Sequence, residues 1–239
     1  MVQRERIIQA DRSVIVAADV EAAMLPKLVE NTCLVQGVGG YKLGFELGLE
    51  QGLSSVVAMV RDRTQLPVIY DHQKAGTDIP ATGRAFARVC SKAGINAAIL
   101  FPFGGGETEP AWIRACQDAG LGVIVGAHMT QPKFLWNEGG FIDQHAPDRI
   151  FDIAMGEGVR DFVVPGNKIE AVGYYRRKFD TALGLGNFTL YAPGFITQGG
   201  DISDVAGVAG NRWHAIVGSA IYQAVDMRAA AEKMTQQLR

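Results

Sequence analysis

Pro67-Val68-Ile69-Tyr70 and Ala97-Ala98-Ile99-Leu100-Phe101 bracket a helix-patterned stretch from Thr82 to Ala93. Both outer runs are short, apolar and bounded by polar residues, which reads as strands buried on both faces. Strand, helix and second strand in close succession predict a βαβ unit with parallel strands. Working outward, the same alternation recurs. Upstream lie Val14-Ile15-Val16-Ala17-Ala18 and Tyr41-Lys42-Leu43-Gly44-Phe45. Downstream lie Gly122-Val123-Ile124-Val125-Gly126, Asp161-Phe162-Val163-Val164, Phe188-Thr189-Leu190-Tyr191 and Ala215-Ile216-Val217-Gly218. Helical patterns fall between and after them, among them Glu109 to Ala119, Ala146 to Gly156 and Asp226 to Leu238. Eight such runs favour a closed α/β barrel, the (β/α)8 TIM barrel, over an open sheet. No low-complexity linker interrupts the pattern, so residues 1–239 are expected to form one domain. Phe134 to His145 shows no clear period and reads as a loop or a short helix.

Composition narrows the function classes. The chain has 239 residues, 48% of them hydrophobic, with a mean hydropathy near zero at +0.07. Its 23 basic and 25 acidic residues give a net charge of -2, which offers no broad surface for nucleic acid or membrane. Cys33, Cys90 and Cys116 have neither metal-ligand spacing nor an even disulfide set, and point to a reducing, cytoplasmic setting. Met1 to Asp11 carries no signal-peptide apolar run, and no stretch approaches the roughly 18 apolar residues of a membrane span. His72, His128, His145 and His214 share no ligand spacing, so no metal site is expected, and His72 reads as a loop-fixing hydrogen bonder. Trp112, Trp136 and Trp213 read as core or interface residues.

In such barrels the chemistry gathers where the strands end. The first strand ends at Asp19 and the second carries Lys42. The third runs into Asp71-His72-Gln73-Lys74-Ala75-Gly76-Thr77-Asp78-Ile79-Pro80. Asp71, Lys74 and Asp78 read either as a catalytic charge cluster or as a solvated group capping the next helix. A lysine inside an apolar strand is costly unless paired. Asp19 and Asp71, at neighbouring strand ends, are the partners available to Lys42; the other reading has Lys42 snorkelling outward. Asn167, after the sixth strand, could reach a ligand or cap the following helix. The glycine-rich turns with Gly199, Gly200 and Gly218 suit backbone N–H contacts to a phosphate.

These motifs, in order and along the full chain, resemble the orotidine 5'-monophosphate decarboxylase family. The resemblance rests on Asp19, Tyr41-Lys42-Leu43-Gly44, and Asp71 with Lys74 and Asp78-Ile79-Pro80-Ala81-Thr82. It continues in Pro193 to Asp201 and in Val217-Gly218-Ser219-Ala220-Ile221-Tyr222. Two departures stand out. The third motif reads Asp-x-x-Lys-x-x-x-Asp, one residue longer in each interval than the family form. Ser219 stands where the family carries a phosphate-binding arginine, and Arg212 is the nearest upstream cation.

The resemblance implies cofactor-free decarboxylation of orotidine monophosphate to uridine monophosphate. Lys74 is then the proton donor, Asp71 and Asp78 hold it charged and oriented, and Lys42 completes an alternating charge array. It further implies that Asp19 meets the ribose and Thr130 the pyrimidine, and that Gln198 bridges base and phosphate. Pro193, Gly199, Gly200, Gly218 and Ser219 frame the phosphate. Asp78, Ile79 and Thr82 are implied to enter the site of a second copy, making a homodimer. Two alternatives stay open: a metal-dependent hexulose-phosphate synthase-like aldolase, and a non-catalytic barrel that binds a nucleotide or sugar phosphate.

Overall fold

Parallel strands close into a barrel in strict chain order, each paired with its sequence neighbours and the last with the first. The computed structural model describes residues 6–73, 75–195 and 199–238. The strands are β1 (Arg12–Ala18), β2 (Val38–Leu43), β3 (Val68–Asp71), β4 (Ala97–Leu100), β5 (Gly122–Gly126), β6 (Asp161–Val163), β7 (Thr189–Ala192) and β8 (Trp213–Val217). Between them run α1 (Leu25–Thr32), α2 (Phe45–Gln51), α3 (Leu53–Arg61), α4 (Gly83–Lys92), α5 (Thr108–Asp118), α6 (Ala146–Gly156), α7 (Ile169–Leu183) and α8 (Ile202–Val208). After β8 come the short α9 (Ser219–Tyr222) and α10 (Met227–Gln236). The expected (β/α)8 barrel is the observed one, with each expected strand overlapping an observed one.

The apolar runs split into two cores by strand parity. Ile15, Ala17, Ile69, Ile99, Ile124, Val163, Tyr191 and Ile216 fill the lumen. Their alternate neighbours, such as Val14, Val16, Val68, Ala98 and Val123, pack beneath the helices. Both strand faces are thus buried, which is why these runs are apolar without alternation.

The second strand begins earlier than its sequence suggests. Gly39 and Gly40 weaken a strand reading, yet both lie within β2. A Cβ on Gly39 would fall 2.2 Å from Ser13 Oγ, and one on Gly40 would fall 2.8 Å from the Pro67 carbonyl oxygen. Close approach to β1 and β3 demands glycine there, beside the register shift between Val14 and Ile15. The unpatterned stretch from Phe134 to His145 holds a single 3₁₀ turn, Trp136–Glu138, closed by a bridge between Leu135 and Ile142.

Candidate active site

Strand parity decides where the charges go. Lys42 pairs in register with Ala17 on one side and Ile69 on the other, and both of these face the lumen. Lys42 therefore points inward and is 6% exposed, so the snorkelling alternative does not hold. Asp19 and Asp71 lie two residues beyond Ala17 and Ile69, on the same phase. The Lys42 ammonium lies 3.2 Å from Asp19 Oδ1 and 3.4 Å from Asp71 Oδ2. Burial works against the charge on Lys42, but the two carboxylates outweigh it and hold its pKa above the usual lysine value. The Asp19–Lys42–Asp71 array sits at the C-terminal mouth of the barrel, in the wall of a cavity of about 390 Å³.

Asp71 also shapes the loop that follows it. Its Oδ1 accepts the Gln73 N–H at 3.1 Å, and Gln73 adopts a left-handed φ of 51°. Such a conformation is uncommon outside glycine and Asn or Asp. The Ala75 carbonyl accepts the Phe101 N–H at 2.7 Å, and Gly76 turns left-handed again at φ 93° against Pro102. Each of the two lengthened intervals of the third motif thus contains one left-handed residue that tightens the chain. His72 Nδ1 meets the Tyr70 hydroxyl at 2.5 Å, the loop-fixing contact expected of it.

Of the residues singled out from the sequence, Asp19, Lys42, Asp71, Thr130, Pro193, Gly218 and Ser219 line the cavity. Asp78, Ile79 and Thr82 do not. Their segment lies against α5, where the Asp78 carbonyl accepts the Thr108 hydroxyl and the Ile79 carbonyl accepts Trp112 Nε1–H. Its outer side is open, with Ile79 61% exposed. Gly199 and Gly200 lie in the loop after β7 and outside the cavity wall. Gly199 is left-handed at φ 84°, as a turn glycine should be. The Gly200 amide, expected to face an anion, donates instead to the Gly194 carbonyl at 3.2 Å. Lys74 and Gln198 fall outside the described residues.

Arg212 sits at the N-terminal end of β8, beside Asp11, at the opposite mouth. The Asn167 Nδ2 donates to the Thr130 carbonyl at 3.0 Å, tying the link after β6 to the loop after β5. Trp112 and Trp213 are buried, whereas Trp136 is exposed.

Sequence reading passed over several wall residues. Phe101, Met129, Phe195 and Tyr222 line the cavity, as does His128 at the end of β5. Position within five residues of an apolar strand's C-terminal end was the available signal, but apolar side chains there look like core. His128 is buried, with Nδ1 3.1 Å from the Tyr175 hydroxyl and Nε2 3.0 Å from Lys168 Nζ. Burial and then the Lys168 charge push its pKa down to about 4. Among the described residues no group of three or more His, Cys, Asp or Glu is placed to hold a metal ion. Nor is any helix among them long and apolar enough to cross a membrane.

Comparison with known proteins points to one family and the same fold. The sequence profile of the orotidine 5'-phosphate decarboxylase / HUMPS family matches residues 12–234. The chain is 31% identical to the orotidine 5'-phosphate decarboxylase of Methanosarcina mazei over 232 residues, 97% of each chain. It is 32% identical to that of Methanosarcina barkeri over 202 residues, 84% of this chain and 83% of the relative. Among solved structures, the Methanocaldococcus jannaschii orotidine 5'-monophosphate decarboxylase complexed with the inhibitor BMP superposes with a TM-score of 0.79. That match has 25% identity and covers 95% of this chain and 99% of the other. The Pyrococcus horikoshii enzyme superposes with a TM-score of 0.77 at 26% identity and the same coverage.

Proposed function

Because the chain belongs to the orotidine 5'-phosphate decarboxylase / HUMPS family, we propose that it decarboxylates orotidine 5'-monophosphate to uridine 5'-monophosphate, a step of pyrimidine nucleotide synthesis. The observation that carries this reading is the Asp19–Lys42–Asp71 array in the wall of the cavity at the C-terminal mouth. An ammonium lodged between both carboxylates would repel Mg2+, which counts against the metal-dependent aldolase alternative.

The chemistry follows from the charges. The bond between C6 and the carboxyl carbon breaks, CO2 leaves, and the electron pair stays on C6. A fixed cation close to C6 stabilises that carbanion without solvent reorganisation. Lys74 is assigned as this cation and as the donor of the proton that C6 then takes. Support comes from its chain neighbours: Gln73 lines the cavity and Ala75 is bonded to Phe101, another wall residue. Lys42 neutralises Asp71 from the far side and fixes its rotamer, and Asp19 faces the ribose hydroxyls. Thr130 meets the pyrimidine. Gln198 bridges base and phosphate. Gly218, Ser219 and Pro193 frame the phosphate, and Gly199 and Gly200 belong to the loop that closes over it. No cofactor is assigned.

The same reading makes the protein a homodimer with shared sites. Asp78, Ile79 and Thr82 lie away from their own cavity on an open edge, where a second copy would receive them. The reaction is followed by the loss of orotidine monophosphate absorbance with EDTA present. Turnover that resists EDTA and disappears in Lys74→Ala supports the assignment. Turnover that requires Mg2+, or nucleotide binding without turnover, refutes it.

A further inference from the structure

Two consecutive residues in the link between β6 and α7 reach across to the loop after β5. Asn167 binds the Thr130 carbonyl, and Lys168 binds His128 two residues earlier. Lys168 also donates to Glu138 Oε1 at 2.7 Å. Glu138 in turn accepts the N–H groups of Phe134 and Leu135 through Oε2, at 3.2 and 3.3 Å. One carboxylate therefore gathers the far part of the β5–α6 loop, and one ammonium joins it to a cavity-lining imidazole. Phe134 stacks on the His128 ring at 6.0 Å between centroids, and Tyr175 meets it edge-on at 5.9 Å.

The donors fix the state of the ring. An ammonium has hydrogens to give and no lone pair to receive, so His128 Nε2 accepts. The neutral ring then carries its proton on Nδ1 and donates it to the Tyr175 hydroxyl. With both nitrogens engaged away from the cavity, His128 cannot serve as its acid or base. Protonating it would set two cations 3.0 Å apart.

We propose that Lys168 and Glu138 are positioning residues for substrate: Glu138 anchors Lys168, and Lys168 holds His128 as the neutral Nδ1–H imidazole and so locks Thr130 and Gln131 in the cavity wall. Nothing in the reaction assigned above uses Lys168, Glu138 or His128, and the proposal rests on that assignment only in taking the ligand to be a pyrimidine nucleotide. The charged and titratable groups facing His128 are Lys168 from the β6–α7 link, Glu138 from the 3₁₀ turn and Tyr175 from α7. Asp19, Lys42, Asp71 and Tyr222 face it across the cavity. The low pKa of His128 and the pKa of Glu138, which its partners hold at about 2 against burial, accord with this arrangement.

The test is Lys168→Met, with Lys168→Arg as the charge-preserving control, in the full chain. With four histidines in the sequence, the His128 ring signals can be assigned and titrated by NMR without any assay of turnover. In the parent protein His128 should stay neutral below pH 5. In Lys168→Met its midpoint should rise by at least one pH unit, because Glu138 remains and the opposing cation is gone. The Kd for uridine monophosphate, and KM where turnover is measurable, should rise about tenfold with kcat changed less than threefold. Lys168→Arg should restore most of both. A His128 midpoint that is ordinary in the parent, or unmoved in Lys168→Met, overturns the proposal whatever the enzyme's activity. So does an unchanged Kd alongside a moved midpoint. Should Lys168→Met fail to fold, Glu138→Gln supplies a second test of opposite sign: His128 should titrate lower still while the Kd rises, and an unmoved midpoint or an unchanged Kd overturns the proposal. Failure of orotidine monophosphate turnover in the parent would count against the assigned reaction and leave the NMR result standing.

Discussion

Replacing Ser219 by arginine tests how this site holds a phosphate. Lys42 is the only lysine or arginine among the described wall residues, and Asp19 and Asp71 already neutralise it. Arg212 is the other candidate raised by the sequence. It precedes β8, whose five residues at about 3.3 Å each carry the chain about 17 Å to the mouth where Ser219 stands. An extended arginine side chain, roughly 7 Å long, covers less than half of that, and Arg212 is engaged by Asp11. On the function proposed above, backbone amides and the Ser219 hydroxyl face the phosphate. A hydrogen bond from a charged donor is worth about 1.5–3 kcal/mol, and about 1.4 kcal/mol is tenfold in affinity. Ser219→Arg should therefore lower the Kd for uridine monophosphate by about 10- to 150-fold, read by calorimetry at fixed ionic strength. The gain should shrink for uridine, which has no phosphate, and should fall with added salt. If Ser219→Arg does not tighten binding while Arg212→Ala weakens it more than tenfold, a cation reaches the phosphate by a route this geometry forbids, and the reasoning fails.

Three further outcomes follow from the same geometry. Mixing inactive Lys74→Ala and Asp78→Ala proteins should recover about a quarter of parental activity on random subunit exchange; no recovery after proven exchange, seen by native mass spectrometry, places Asp78 in its own subunit's chemistry or in none. Lys42→Met leaves Asp71 and Asp19 without their cation. Breaking a buried pair costs about 3–5 kcal/mol, and the half-exposed Asp19 should bring the loss in urea melts to roughly 2–3 kcal/mol. Because the Lys42 pKa is raised on folding, its contribution is complete below the unfolded value of 10.5 and is lost above the folded one, so the gap between parent and variant should narrow at strongly alkaline pH. Glu109 is 1% exposed, and burial followed by Glu157 raises its pKa to about 8. A carboxyl raised on folding favours the folded state below its unfolded pKa of 4.5 and progressively less up to about 8. Glu109→Gln should therefore flatten the stability–pH curve across that window, by at most about 5 kcal/mol at about 1.4 kcal/mol per unit; parallel curves would show that Glu109 ionises freely in the fold.

The barrel was legible because it is written redundantly, and part of the site was legible with it. Each strand is an apolar run, each helix a periodic one, and their alternation leaves parallel pairing with few topologies to choose from. Lys42 declared itself as a lysine in an apolar strand, and Asp19 and Asp71 as acids at the ends of strands that must flank it. In-register neighbours need no tertiary detail beyond strand order. What only the folded chain decided is everything that depends on side-chain direction in loops or on contacts distant in sequence. Asp71 and Asp78 look like one cluster on paper, yet the left-handed turns at Gln73 and Gly76 accompany a split that leaves Asp71 in the cavity wall and Asp78 on an outer edge. Gly200 has the composition of an anion nest but donates its amide to the Gly194 carbonyl, a contact that no local composition announces. His128, Glu138 and Lys168 are single polar residues up to 40 positions apart, and no local period or motif links them. They meet because parallel pairing sets the ends of β5 and β6 side by side, and a contact between the loops that follow two strands is invisible to any pattern read along one strand.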